Sequence, residues 1–190
     1  MRQTLCEDLD EMENLGIIKT SNSPNVSPVA VVEKKDDSNR ICIDYKQLNK
    51  LTVFNPHPMI PPADVFQGMG NSRYFSKINL NKGCWQIPVR QQDIPKTVFV
   101  TMDCHHEFLR MPFAMMNSRA ILTLSVKMIL RGMEYVVEYV DDLLVHTPTW
   151  EDYVNTLREL FKRLQRANFT VRPSVLYLLY NYITLSFLVS

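Results

Sequence analysis

The segment from Val136 to Val145 places two adjacent carboxylates, Asp141 and Asp142, between two apolar runs. Apolar runs on both sides of a polar pair predict a β-hairpin with the aspartates at its turn. Adjacent carboxylates repel each other, so a nearby cation stabilises them. Such a pair suits Mg²⁺, which prefers hard oxygen ligands, and two such ions can hold the attacking and leaving oxygens of a phosphoryl transfer. A plain surface turn is the alternative, because aspartate is common in turns.

A cluster of cationic residues lies between two other apolar runs, 29–32 and 41–43. These runs predict a second hairpin, whose tip contains Lys34 and Lys35 and ends at Arg40. Composition alone favours a solvated turn for this tip, and the functional alternative is a flap that presents cations to an anion.

The remaining pattern predicts three helices and two further strands. One helix is capped by Thr4 and ends at Gly16, a buried helix covers 120–131 and ends at Gly132, and an amphipathic helix starts at Thr149. The apolar stripe of the last helix comprises Tyr153, Leu157, Leu160, Phe161 and Leu164. Strands are expected over 74–78 and 97–101.

Composition sets the broad class of the chain. Its 190 residues are 46% hydrophobic and 22% charged, which is ordinary globular usage and argues against wholesale disorder. A net charge of +1 gives weak support for nucleic-acid binding, which would then depend on where charge is placed. No apolar run of about 20 residues occurs, so we expect no membrane span.

The cysteines indicate neither a zinc site nor a disulfide framework. They are widely separated, without a C-x-x-C pair, and we expect free buried thiols in a reducing compartment. With no targeting segment in view, we expect a cytoplasmic or nuclear location. The four cysteines are Cys6, Cys42, Cys84 and Cys104.

Several collinear motifs give the chain a family resemblance over about residues 10 to 174. It resembles the reverse transcriptase of a gypsy-type LTR retrotransposon or related endogenous retroelement, in a truncated and degenerate form. The matching segments are 16–18, 21–24, 27–29, 34–36 with Arg40, 44–49, 74–78, 93–97, 107–113 and 139–142.

The resemblance implies an α+β fold, the fingers and palm of a right-hand polymerase, in which an antiparallel palm sheet is backed by helices. The implied fingers segments are 1–54, with the N-terminal helix, and 87–118; the implied palm segments are 55–86 and 119–174. It implies that the thumb is absent. Residues 175–190 are apolar, carry no charge and are expected to be a tail foreign to the family, with the composition of an aggregation-prone strand.

The resemblance also implies RNA-directed DNA synthesis from a primer, with an RNA or DNA template, deoxynucleoside triphosphates and two Mg²⁺ ions. Asp141 and Asp142 match two metal-binding aspartates of the family. Lys34, Lys35 and Arg40 match the fingers hairpin that grips the incoming triphosphate, which reverses the interpretation of that tip as a solvated turn. They are expected to face the two aspartates across a nucleotide-sized cleft.

Three positions near the implied site depart from the family pattern. Asn79 stands where the family has its first catalytic aspartate, and an amide is neutral and offers one carbonyl oxygen. Cys84 replaces an aromatic ring that excludes a ribose 2′-hydroxyl. Phe113 matches a residue that lines the nucleotide pocket, and Ala114 replaces the glycine that follows it, adding a methyl where backbone approaches the nucleotide.

The sequence therefore predicts a reverse transcriptase domain whose DNA synthesis is impaired by Asn79. Two alternatives stay open: an active polymerase fragment completed by other domains, and a non-catalytic module that binds nucleic acid or protein. The sequence does not determine the oligomeric state.

Overall fold

The computed structural model describes residues 2–33, 39–56, 68–101, 104–139 and 142–180. The chain forms two compact units, each assembled from two separate stretches. The first unit contains Met1–Asn55 and Cys84–Arg119, and the second contains Pro56–Gly83 and Ala120–Ser190.

The elements of the first unit are α1 (Arg2–Asn14), β1 (Ile18–Thr20), β2 (Ser27–Glu33), β3 (Asn39–Ile43), α2 (Lys46–Leu51), β5 (Phe99–Val100) and β6 (His105–Phe108). Those of the second unit are β4 (Tyr74–Leu80), α3 (Ser118–Leu130, whose first two residues belong to the first unit), β7 (Val136–Tyr139), β8 (Asp142–Thr147), α4 (Trp150–Arg166) and β9 (Val171–Tyr180). Short 3-10 turns cover Gly83–Gln86 and Ile94–Thr97.

A five-stranded sheet in the order β1-β6-β5-β2-β3 organises the first unit. Helix α1 packs Leu9 and Met12 into a core with Ile18, Phe99 and Phe108. Burying these side chains removes apolar surface from water, which is the main stabilising contribution here. The β2–β3 pairing confirms the predicted hairpin around the cationic tip.

The two ends of α1 compare differently with the prediction. The helix begins at Arg2, so Thr4 lies within it, and the prediction that Thr4 caps the helix is wrong. Gly16 does end the helical segment, with a φ of +64° in the left-handed region that glycine adopts without a steric cost.

The second unit is a four-stranded sheet in the order β7-β8-β4-β9, with helices on one of its faces. Ser76 on β4 shares a 2.6 Å hydrogen bond with the hydroxyl of Tyr153 on α4, and Thr123 on α3 donates to Glu138 on β7 at 3.0 Å. On the same face Ile78 and Leu143 are fully buried. The antiparallel sheet backed by helices is the expected one.

An arginine ties the two helices of this unit together. Arg163 on α4 donates to the backbone carbonyls of Ile129 and Arg131 at the C-terminal end of α3, at 3.2 and 2.8 Å. A cation at a helix C-terminus also interacts favourably with the helix dipole. The helix predicted over 120–131 is present as α3, but it is not buried throughout, because Ile121, Leu124 and Met128 are exposed. Thr149 caps α4 as expected.

Two further expectations need correction. Only Phe99–Val100 is a strand within 97–101, because Thr97 belongs to a 3-10 turn in which its hydroxyl donates to the carbonyl of Ile94. Residues 175–180 lie in β9, which pairs with β4, and the expectation that 175–190 are foreign to the family stays a prediction. All four cysteines are free, as expected, but Cys6 and Cys104 are exposed instead of buried.

Among the described residues, no helix is both long and apolar enough to cross a membrane.

The cap of α4 gives a stability prediction. The Thr149 hydroxyl accepts from the backbone N–H of Asp152 at 3.2 Å and donates to its carboxylate at 2.6 Å. We expect Thr149→Ala to lower the free energy of unfolding by about 1 kcal/mol, because one N–H of the first turn loses its acceptor. Urea unfolding followed by circular dichroism measures this loss, and Thr149→Ser, which keeps the hydroxyl, should change the value little.

Two buried histidines predict how stability depends on pH. Burial lowers the pKa of His106 and His146 below the ordinary value of about 6.5, although nearby carboxylates partly oppose it. The unfolded chain therefore takes up protons at a higher pH than the folded chain. Stability is complete above pH ~6.5 and falls below it, by at most ~1.4 kcal/mol per pH unit and histidine. Measuring the free energy of unfolding at pH 7 and at pH 5 tests this. Replacing both histidines with glutamine should reduce the fall in that free energy between the two pH values.

Candidate active site

The pairing of β4 with β8 brings two of the predicted catalytic positions together. In the antiparallel register Asn79 lies directly opposite Asp142, and Lys77 lies opposite Leu144. Opposed residues of paired strands project to the same face, so these side chains share the face that the helices do not cover. The predicted hairpin is present, but Asp142 is the first residue of β8 and pairs with Tyr139 of β7, so it belongs to the strand and not to the turn.

Three side chains on this face form a short polar network. The amide nitrogen of Asn79 donates to Oδ1 of Asp142 at 2.9 Å, and the ammonium of Lys77 pairs with Oδ2 at 3.0 Å. Lys77 and Asp142 are 24% and 17% exposed, so water screens this ion pair less than it screens a surface pair. Both oxygens of the carboxylate thus have a hydrogen-bond donor.

The orientation of the Asn79 amide follows from the charge beside it. An amide has a donating nitrogen and an accepting oxygen at nearly the same positions, and the network around it decides which one faces a neighbour. Its oxygen would repel the Asp142 carboxylate, so the nitrogen faces Asp142. An aspartate at position 79 would instead place a second anion against the first.

The described part of this site does not fit a two-metal centre as it stands. Among described residues, no group of three or more histidine, cysteine, aspartate or glutamate side chains is placed to hold a metal ion. Asn79 presents an N–H group toward Asp142, and the ammonium of Lys77 is at the other oxygen. Asp141, the other predicted metal ligand, lies outside the described residues.

An apolar cluster on the same face fixes the strands that carry the network. Met69 and Leu144 are buried, and Phe75, Val137 and Tyr139 pack against them. Where β4 pairs with β9, the register shifts between Ile78 and Leu80, so an irregularity spans Asn79. Such bulges re-aim side chains and are frequent beside active sites.

The predicted nucleotide-binding residues of the first unit are placed individually. Cys84 is buried in the 3-10 turn Gly83–Gln86, whereas Phe113 is 48% exposed. The ring of Trp85 lies 5.6 Å from that of Phe113, measured between centroids, at an interplanar angle of 48°. Ala114 is also exposed, and its carbonyl accepts a hydrogen bond from the side-chain amide of Asn49.

Two asparagines hold the turn that contains Phe113 and Ala114. Asn49 donates to the Ala114 carbonyl at 3.1 Å and accepts from the N–H of Met116 at 2.8 Å. Asn117 donates to the carbonyl of Val53 at 2.9 Å and accepts from the N–H of Asn55 at 3.1 Å. Sequence reasoning missed both roles, because their partners lie far away along the chain.

Most of the predicted cationic tip lies outside the described residues. Lys34 and Lys35 lie outside the described residues, and Arg40 is located only by its backbone, which pairs with Val32 in the β2–β3 hairpin. Their role in gripping a triphosphate stays a prediction.

Other residues of the quoted motifs have structural roles. The Ser21 hydroxyl donates to Glu107 at 2.6 Å, and Lys19 pairs with the same carboxylate at 3.1 Å. The buried Tyr45 donates its hydroxyl to the carbonyl of Thr97 at 2.7 Å. Burial raises the pKa of the Tyr45 phenol far above its usual range, so it stays a donor at any ordinary pH. These contacts join distant segments of the first unit.

A family model described as "Reverse transcriptase (RNA-dependent DNA polymerase)" matches residues 32–174. The chain belongs to the reverse transcriptase family. Among curated relatives, the retrovirus-related Pol polyprotein from transposon 297 of Drosophila melanogaster is 35% identical over 167 residues, covering 84% of this chain. An RNA-directed DNA polymerase homolog of Oenothera berteroana is 36% identical over 128 residues, covering 66% of this chain and 87% of the relative. The chain spans only 16% of the length of the transposon 297 polyprotein.

Solved structures show the same fold. The foamy viral protease-reverse transcriptase dRH, in complex with double-stranded DNA, matches with a TM-score of 0.85 and 26% identity, covering 93% of this chain and 31% of that chain. The foamy viral enzyme in complex with an RNA/DNA hybrid has a TM-score of 0.85 at 24% identity, covering 93% of this chain and 24% of that chain. The chain thus has the α+β fingers and palm fold of reverse transcriptases, and the segment boundaries implied by the resemblance stay a prediction.

The Asn49 contacts predict a measurable loss of stability. We expect Asn49→Ala to lower the free energy of unfolding by about 1 kcal/mol, because the Ala114 carbonyl and the Met116 N–H both exchange their partner for water. Denaturant unfolding measures the change. Asn55→Ala is the matched control: Asn55 contributes its backbone N–H to the same region, so removing its side chain should leave stability nearly unchanged. Equal effects of the two variants would contradict this role.

Proposed function

We propose that this chain is the nucleotide-polymerising part of a retroelement reverse transcriptase, and that Asn79 impairs its chemical step. The observation that carries the proposal is the pairing of Asn79 with Asp142 on neighbouring strands. Position 79 carries an amide where the family is proposed to have its first catalytic aspartate. The fold around it matches that of reverse transcriptases. The proposed reaction is RNA-directed extension of a primer by deoxynucleoside triphosphates.

The impairment follows from charge. The proposed cofactor is Mg²⁺, with Asp142 and Asp141 as its protein ligands, and bound Mg²⁺ would stabilise the charge that develops on the transferred phosphate. Replacing one carboxylate by an amide removes a full negative charge from the ligand set and leaves one carbonyl oxygen. Losing such a pre-organised electrostatic contact costs several kcal/mol of transition-state stabilisation, or about 10³-fold in rate.

The proposed partners are an RNA or DNA template-primer and deoxynucleoside triphosphates. The support is family membership and the likeness to a foamy viral enzyme in complex with double-stranded DNA. The Lys34, Lys35 and Arg40 segment is proposed to contact the triphosphate, and the exposed Phe113 with the adjoining Ala114 to line the nucleotide pocket.

Position 84 bears on the choice of sugar. The family's aromatic ring is replaced by the small, buried side chain of Cys84, which cannot fill the same volume. We propose that any remaining synthesis discriminates poorly between ribonucleotides and deoxynucleotides, because rejection of a 2′-hydroxyl depends on a steric clash.

Primer extension on an RNA template tests the assignment of Asn79. We expect Asn79→Asp to extend the primer about 10³-fold faster than the unmodified chain in Mg²⁺, because it restores the missing ligand charge. Asn155→Asp is the matched control, since it makes the same amide-to-carboxylate change on the exposed surface of α4. Equal extension by the unmodified chain and Asn79→Asp would contradict the proposed impairment.

Nucleic-acid binding is measured beside primer extension, so that a loss of binding can be distinguished from a loss of catalysis. Filter binding to an RNA–DNA hybrid at several salt concentrations reports the phosphate contacts, and a log–log slope near zero would contradict nucleic-acid binding. If all variants bind the hybrid and Asn79→Asp still fails to extend the primer, Asn79 is not the main defect. Binding without synthesis in every variant would favour a non-catalytic nucleic-acid module.

A further inference from the structure

We propose that Lys77 is a built-in counter-cation for Asp142, which holds the carboxylate without a divalent ion and competes with any ion that approaches it. The proposal deepens the proposed function and rests on it only in taking Asp142 as a metal-binding position. In the described site, each oxygen of the Asp142 carboxylate already has a hydrogen-bond donor from the protein.

The strand geometry puts Lys77 within reach of Asp142. Lys77 and Asn79 are two residues apart on β4 and therefore project from the same face. Asn79 is directly opposite Asp142, so Lys77 is the diagonal neighbour, at a spacing that a long side chain bridges. Its ammonium ends 3.0 Å from Oδ2, on the side of the carboxylate that Asn79 does not occupy.

The charges of the three side chains balance. Asp142 contributes one negative charge, Lys77 one positive charge and Asn79 none, so the described network is neutral. A divalent cation that binds Asp142 must displace the ammonium from Oδ2 or remain beside it, and like charges at this separation repel strongly where water is partly excluded. The Asn79 substitution and the Lys77 contact thus both weaken metal binding, through independent causes.

The two causes make distinct predictions for metal affinity. If Asn79 alone weakens binding, removing the charge of Lys77 should change nothing. If Lys77 competes with the ion, removing its charge should tighten binding even while Asn79 remains. The strongest binding is expected when Asn79→Asp adds a ligand charge and Lys77→Gln removes the competing cation together.

Titration of the purified chain with Mn²⁺, followed by the electron paramagnetic resonance signal of free Mn²⁺, tests this without nucleotide or primer. We expect Lys77→Gln to bind Mn²⁺ about tenfold more tightly than the unmodified chain, and the double variant with Asn79→Asp to bind more tightly still. Lys162→Gln is the matched control, because it removes the same charge from an exposed position on α4 in the same unit. It should bind like the unmodified chain, and Asp142→Asn should remove the gain produced by Lys77→Gln.

Thermal unfolding gives a second readout. Without metal, Lys77→Gln removes the positive charge beside the carboxylate, so its midpoint should fall below that of the unmodified chain and rise when Mn²⁺ is added. The midpoint of the unmodified chain should respond much less. Lys77→Arg keeps the charge, so it should retain the weak Mn²⁺ affinity of the unmodified chain even if Lys77→Gln does not fold.

The proposal is overturned if folded Lys77→Gln binds Mn²⁺ no more tightly than the unmodified chain, or if Lys162→Gln gains as much. It is also overturned if Lys77→Arg, which keeps the charge, binds Mn²⁺ as tightly as Lys77→Gln. None of these outcomes depends on DNA synthesis, so failure of the proposed polymerase reaction would be seen separately, in the primer-extension assay.

Discussion

The antiparallel register between β4 and β8 is the constraint on which the candidate site depends. Side chains alternate between the faces of a strand, so a shift by one residue would turn Asn79 and Lys77 toward the helices and leave Asp142 without either donor. The apolar residues prevent such a shift, because Ile78 and Leu143 are fully buried on the helix face. Apolar burial therefore fixes where the polar network forms.

The network illustrates an opposition between stability and catalysis. A cluster of carboxylates is ready to bind metal but repels itself when no metal is bound, and this repulsion lowers the stability of the folded chain. With Asn79 and Lys77, the Asp142 carboxylate is satisfied by donors from the protein itself. The arrangement stabilises the strand pair, and the same contacts oppose metal binding.

Sequence patterns predicted the elements of this fold better than the contacts between them. The apolar runs around Asp141 and Asp142 were enough to predict a hairpin, and the apolar residues of 120–131 and the apolar stripe of α4 were enough to predict both helices. The N-cap of α1 was predicted wrongly, since Thr4 has a residue type typical of a cap but lies inside the helix. The ion pair of Lys77 depends on cross-strand register, which one sequence does not reveal, although its spacing of two residues from Asn79 was a usable signal.

The similarity to reverse transcriptases concerns the backbone, whereas the proposed impairment concerns the side chain at position 79. A TM-score of 0.85 compares backbone paths, and exchanging a carboxylate oxygen for an amide nitrogen leaves such a path unchanged. Asparagine has nearly the shape of aspartate, so either residue would pack similarly on β4, but only the uncharged amide of Asn79 can donate a hydrogen bond to Asp142. A fold can therefore be retained while the chemistry of its site is altered, and in this chain activity must be argued from Asn79, Asp142 and Lys77.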